Sequence, residues 1–362
     1  MNNNTTTHTV HTTPILMGDL PEKSRARVNI NDRKMINGMD ADVIQLYPLK
    51  HTFAWDAYNV GNTNHWLPTE ISMQLDIEQW KSDTVLSADE RHALKMVIGF
   101  FSTADSIAAN NLVLSTYKHI TSPEARMFLL RQAYEEAIHT QAYQYIVESL
   151  GLDSGEIFNM YREVDSIFNK DQFILSFNEG ILDPNFKTGT FENDQKFLEN
   201  MCVFSLIMEG IFFYSSFAVM FGFQRQNKLP GSAEQIQYIM RDESAHLNFG
   251  VDMINTIKEE QPELWTPAFQ DRIRDLVDQA VKLEYKFATE VFPKGIFGLN
   301  AEGFKQYIEH IADRRLQRVG LGVVYGTHNP FPWMSEAVDL AKEKNFFETR
   351  VTEYKTGGSL EW

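Results

Sequence analysis

An all-α fold, a helical bundle with additional helices, is predicted by three observations on this 362-residue chain. Apolar residues recur at helical spacing through several long stretches. The short breaks between those stretches carry residues that start and stop helices. No alternating β-type run competes with them.

In chain order, residues 1–30 are polar, show no sustained period, and are expected to form a flexible leader. Their opening, "MNNNTTTHTVHTT", lacks the apolar region of a signal peptide. Residues 31–60 hold apolar clusters without a clear helix. The ordered body opens at "WLPTEISMQLDIEQW", where Trp66 and Pro68 point to a turn into a short helix. Ser87 with Glu90 three residues later is a capping-box pattern, and Leu94, Val97, Ile98 and Phe101 then continue one apolar face. A second long helix is predicted from about Pro123 to Ser149, stopped by "LGLDSG". A third runs from Gly155 to Leu182 with a break near Asn169, and a fourth covers 192–223. "NKLPGSAEQ" interrupts the chain, with Pro230 and Gly231 as the turn and Ser232 as the cap of a fifth helix. That helix reaches Glu260 and ends at "QPELW". Further helices are predicted at 265–292, 301–324 and 334–344. The last stretch, "NFFETRVTEYKTGGSLEW", leaves helical periodicity. It is read either as a frayed terminus or as a flexible tail over 346–362 whose apolar end, Leu360 and Trp362, docks into another protein. One helical domain, 31–345, lies between leader and tail.

Composition narrows the function classes. Hydrophobic residues make up 43% of the chain and charged residues 23%, an ordered, soluble balance. The net charge of -16 disfavours binding to phosphate backbones, so no nucleic-acid partner is expected. The single cysteine, Cys202, can form neither an internal disulfide nor a CxxC site, which fits a reducing cytoplasm. The apolar stretch 201–223 has the length of a membrane span. Glu209 in its middle would be costly in lipid, so it is read as a buried core helix and no membrane partner is expected.

Two stretches share a Glu-x-x-His pattern: Glu136 with His139, and Glu243 with His246. Residues three apart share a helix face, so a carboxylate and an imidazole can reach the same cation. The pattern alone is weak, because 49 acidic residues and 10 histidines give roughly one such pair by chance. Two lone carboxylates strengthen it. Asp105 falls on the apolar face that holds Phe101, and Glu209 lies in the most apolar helix. Neither would be buried and ionised without compensation. The order carboxylate, Glu-x-x-His, carboxylate, Glu-x-x-His is that of ferritin-like dimetal carboxylate bundles. Four carboxylates neutralise two divalent ions, and oxygen and nitrogen donors suit iron or manganese. The competing reading is buried salt bridges, but few cations interrupt these faces. Arg241 is the nearest candidate partner for Glu243. Tyr143 follows His139 by four and Glu136 by seven, on the same face. Phe213, Phe217 and Ile239 could enclose it in a dry pocket that slows quenching of a radical. The plainer reading of Tyr143 is a core aromatic with a hydrogen bond.

From about Trp66 to the tail, the chain resembles the small, radical-generating subunit of class I ribonucleotide reductases. The resemblance rests on the ordered six residues, "EEAIHTQAY", "MEGIFFYSSF", "RDESAHL", "RRLQRVGL" and "NPFPWM". It implies a homodimer with a ferritin-like core. Asp105, Glu136 and His139 would hold one metal and Glu209, Glu243 and His246 mainly the other. Tyr143 would store the radical. It further implies a transfer route from Tyr143 through His139, Asp242 and Trp66 to Tyr354 in the tail. The route ends in a large subunit that carries the nucleotide and converts ribonucleotides to deoxyribonucleotides. A reductant or flavoprotein activase is a further partner class. One branch of the family has phenylalanine in place of the tyrosine and uses a manganese–iron centre. Tyr143 and Asp105 depart from that branch, whereas the tail resembles it. Fe/Fe is therefore expected, with Mn/Mn and Mn/Fe as alternatives. Two other classes share the ligand set. A diiron oxidase or monooxygenase would not need Trp66, Asp242 and Tyr354 together, and a metal-storage protein would need neither the leader nor the tail.

Overall fold

The computed structural model describes residues 30–38 and 45–334. The leader before Ile30, the helix predicted at 334–344 beyond Met334, and the tail with Tyr354 lie outside them. Among the described residues every regular element is helical. The α-helices are α1 (Thr52–Thr63), α2 (Gln74–Trp80), α3 (Ala88–Asn110), α4 (Pro123–Leu150), α5 (Ser154–Glu163) and α6 (Asp165–Ser176). They continue with α7 (Phe191–Cys202), α8 (Phe213–Arg225), α9 (Pro230–Glu260), α10 (Pro267–Val291) and α11 (Ala301–Arg318).

The start signal on α3 acts as predicted, and α4 begins and ends where expected. Ser87 Oγ accepts from the Glu90 amide at 3.2 Å while Glu90 Oε2 accepts from the Ser87 amide at 2.8 Å, a closed capping box. Ser122 caps α4, Pro123 opens it, and Gly151 ends it in a left-handed conformation at φ 65°.

Four expectations change. Residues 52–63 form α1, although no side chain caps its start. The third predicted helix breaks at Val164, which is extended at ψ 111°, and not near Asn169; its second half ends at Ser176. The helix predicted at 301–324 ends at Arg318, and Gly320 and Gly322 beyond it have φ of 80° and 78°. Ser232 does not cap α9. The helix starts at Pro230, and its first amides are satisfied by Asp76 from α2. The Asp76 carboxylate accepts from Gly231 N, Ser232 N and Ser232 Oγ, each at 2.7 Å. A Cβ on Gly231 would stand 2.4 Å from the Ser72 carbonyl oxygen, so only glycine allows this approach. Asp76→Ala is expected to lower the unfolding free energy of the metal-free protein by about 2 kcal/mol, the upper end for a lost cap. Urea unfolding measures it, and a loss within the ~0.5 kcal/mol of an ordinary surface change would deny Asp76 this role.

The predicted fourth helix is a continuous rod but not a uniform one. Between α7 and α8 the backbone widens into a π-helix over Val203–Phe212. Every residue from 201 to 223 is buried. Two helical stretches, Ala88–His119 and Phe191–Arg225, are apolar and long enough to cross a bilayer, and the most apolar window of the second is wholly inside the protein. They are core helices. The π-segment with α8, and α3, α4 and α9, pack on one another as the central bundle, while α10 and α11 pack together against the π-segment.

Candidate metal centre

α3 supplies Asp105, α4 supplies Glu136 and His139, the π-segment supplies Glu209, and α9 supplies Glu243 and His246 to one buried space. Ligand-type atoms of Asp105, Glu136, His139 and Glu243 lie within 4.8 Å of one another, as do those of Glu136, Glu209, Glu243 and His246. Glu136 and Glu243 belong to both groups, so the two groups share an edge of two carboxylates. Helical i, i+3 spacing aligns each Glu with its own His, and the packing of α4 on α9 crosses the pairs. His139 Nδ1 lies 3.5 Å from Glu136 and 3.1 Å from Glu243. His246 Nδ1 lies 3.2 Å from Glu136 and 3.3 Å from Glu243.

Electrostatics make this space costly for protein alone. Burial first, and neighbouring carboxylates second, push Asp105 and Glu209 well above the usual carboxylate range. Burial also acts upward on Glu136, but the two imidazoles beside it outweigh that and hold the carboxyl low. Arg241, the candidate partner of Glu243 under the salt-bridge reading, does not pair with it. Its guanidinium holds Asp242 at 2.9 and 3.1 Å and the Asn64 carbonyl. Among the described residues, no lysine or arginine forms an ion pair with any of the six.

The fit to cations can be read atom by atom. Both oxygens of Asp105, Glu136 and Glu243, one oxygen of Glu209, and Nδ1 of both histidines have no hydrogen-bond partner. Buried orphans cost free energy one by one, and these converge on a single space. Two divalent ions with oxygen and nitrogen preferences would use all of them.

The far nitrogens of the histidines are held by matching devices. His139 Nε2 faces Asp242 Oδ2 at 3.4 Å, and Arg241 braces Asp242. His246 Nε2 faces Glu135 Oε2 at 2.8 Å, and Arg131 Nε donates to Glu135 at 3.0 Å. Each acid sits just before the ligand-type Glu of one helix and serves the histidine of the other. Such outer carboxylates fix the ring so that Nδ1 aims inward. Sequence reasoning singled out Asp242 and missed Glu135, although both occupy the same place before a Glu-x-x-His. It also missed Gln132, whose Nε2 donates to Glu209 Oε1 at 2.7 Å.

Trp66 is brought to the same network. Its Nε1–H donates to Asp242 Oδ2 at 2.8 Å, its ring stacks on Tyr238 with centroids 5.3 Å apart, and it lies 6.5 Å from the His139 ring. Tyr143 is completely buried beside Asp105. Burial, then the Asp105 charge, pushes its hydroxyl well above the usual tyrosine range, so the phenol keeps its proton. Phe101 stacks on Tyr143 with centroids 5.2 Å apart and planes 2° apart. Phe217 and Phe213 pack on Phe101 at 5.3 and 5.8 Å, and Ile239 is buried. The aromatic directly against the tyrosine is thus Phe101, which the sequence placed only on an apolar face.

Comparison with known proteins agrees with the fold. The family described as ribonucleotide reductase, small chain, matches residues 43–330. A ribonucleoside-diphosphate reductase subunit beta from Chlamydia pneumoniae is 53% identical over 344 residues, covering 95% of this chain and 99% of that protein. A ribonucleotide reductase R2 subunit from Clostridium botulinum superposes with a TM-score of 0.77 at 29% identity, covering 84% of this chain and 94% of that one. A dimanganese(II)-NrdF from Streptococcus sanguinis, at 20% identity and TM-score 0.68 over 82% of this chain and 98% of that one, shares the fold. With the family match spanning most of its length, the chain belongs to the ribonucleotide reductase small-chain family.

Proposed function

We propose that this chain is the radical-generating subunit of a ribonucleoside-diphosphate reductase, acting in the cytoplasm as a homodimer with a large subunit. Asp105, Glu136, His139, Glu209, Glu243 and His246 would hold two metal ions, Glu136 and Glu243 shared between them. Fe/Fe is the proposed pair, and the same oxygen and nitrogen donors accept manganese. When bound, the ions supply the oxygen activation that takes one electron from Tyr143. The rest is the work of this chain's residues. Tyr143 enters the reaction as a neutral phenol and must give up its proton with the electron; the Asp105 carboxylate stands beside it. Phe101, Phe213 and Phe217 keep water and reductants from the ring.

The observation that carries the reading is Asp242. One of its oxygens serves both His139 and the Trp66 indole N–H. Oxidation of Trp66 makes that N–H acidic, and Asp242 already accepts from it. Any buried indole N–H needs an acceptor; what packing alone does not call for is that this acceptor is the carboxylate that also holds His139. Tyr354, in the tail, is proposed as the next station toward the large subunit.

The test is reconstitution of the metal-free protein with Fe(II) and oxygen, and in parallel with Mn(II), beside Tyr143→Phe. Metal content and low-temperature electron paramagnetic resonance are recorded. Two ions per chain in both proteins, with a tyrosyl signal only in the parent, are expected. An unchanged signal in Tyr143→Phe would move the radical elsewhere, and no bound metal would remove the site.

A further inference from the structure

On the side of the metal cluster where α8, α9 and α11 meet, a cavity of about 250 Å³ opens. Arg314, Arg315 and Arg318 line it with Tyr214, Tyr307 and Asn248, and among the described residues no carboxylate lines it. In a chain of net charge -16, three guanidinium groups around one hollow reverse the local field.

Arg315 carries most of the case. Its side chain is only 7% exposed. Nε donates to the Gly210 carbonyl at 2.8 Å, and the guanidinium lies 4.4 Å over the Tyr214 ring. Among the described residues, the charged or ionisable groups acting on it are two tyrosines and two arginines, with no carboxylate among them. A buried cation in such company is expensive unless an anion joins it. Arg318 Nη1 donates to Asn248 at 2.6 Å, with Asp252 as its nearby acid, and Arg314 is exposed at the rim.

We infer that this cavity binds one small oxyanion, of phosphate or carboxylate type, held by Arg314, Arg315 and Arg318. Guanidinium forks match such groups with paired hydrogen bonds. The volume lies below the roughly 300–1,000 Å³ of pockets for larger organic ligands, so a single phosphate or carboxylate group fits better than a nucleotide. The oxyanion has two sources. One is free phosphate. The other is this chain itself: Met334 lines the cavity, and Glu336 and Asp339 follow it in sequence. Neither depends on the metal centre.

Isothermal titration calorimetry of the full chain with inorganic phosphate, at ionic strength held constant with chloride, tests the site. One phosphate per chain, weakened at least tenfold in both Arg314→Met and Arg318→Met, is expected for a free anion. These two residues are chosen because Arg315→Met removes a buried support and could unfold the chain. Phosphate binding that emerges only in the full-length Glu336→Gln/Asp339→Asn chain, and is again lost with Arg318→Met, supports the same site filled by the chain's own carboxylates. No saturable binding in either background, or binding indifferent to both arginine substitutions, overturns the inference.

Discussion

Glu209→Gln is expected to reduce metal content from two ions to at most one per chain and to abolish the tyrosyl signal. Glu209 is the carboxylate that belongs to the second group alone; Glu136 and Glu243 are shared and His246 is neutral as a ligand. Three carboxylates no longer balance two dications. The affinity lost should exceed the ~10–100-fold typical of removing an outer partner of a metal ligand. Glutamine keeps an acceptor for Gln132 and the side-chain volume, so the metal-free protein should unfold within about 1 kcal/mol of the parent. Relief of a carboxyl that burial already disfavours can even raise its stability. The pair of readings separates a ligand from a structural acid. Two ions retained by Glu209→Gln would show that this carboxylate is not a ligand, whatever its burial.

Trp66→Phe is expected to keep both metals and the Tyr143 signal while turnover with the large subunit falls to background. Phenylalanine preserves an aromatic ring against Tyr238 but removes the N–H that Asp242 accepts and is far harder to oxidise. Asp242 remains braced by Arg241, so the metal site should stand. Asp242→Asn should show a loss of about 10–100-fold, because it disturbs His139 as well as Trp66. Full turnover by Trp66→Phe, assayed for deoxyribonucleotide formation with the large subunit present, would take Trp66 out of the route.

Much of this architecture was legible because a few residues have strong local meanings. Ser87, Pro123 and Gly151 mark helix ends by hydrogen bonding and backbone geometry, and the structure uses all three. The six cluster residues were legible for a different reason: Asp105 and Glu209 violate their apolar surroundings, and only cations or protons can reconcile them. What escaped was tertiary in origin. α1 lacks a side-chain cap and draws its stability from packing on α4 and α9. α9 borrows its cap from Asp76, far away in sequence. Val164 breaks a helix without proline or glycine. The apolar stretch 201–223 is buried on every face, so its period carries no signal for a π-helix. Glu135 and Phe101 were hidden because their roles exist only across helices. Tyr354 lies outside the described residues, and its part in the route stays a proposal.

The π-segment that carries Glu209 has a consequence for how such a chain can evolve. A turn closed i to i+5 holds one more residue than an α-turn, as though a single residue had been inserted into an ordinary helix and never removed. Exchanges among apolar residues leave that count intact. Deleting one residue between Cys202 and Glu209 would leave the hydropathy almost unchanged and let the helix relax into regular α geometry. Losing the widened turn would also shift the backbone that carries Glu209 and change the reach of its carboxylate toward Gln132 and His246. Inheritance of this centre therefore depends on the number of residues in an apolar run more than on their identity. Insertions and deletions there should be purged from lineages in which leucine, isoleucine and phenylalanine replace one another freely.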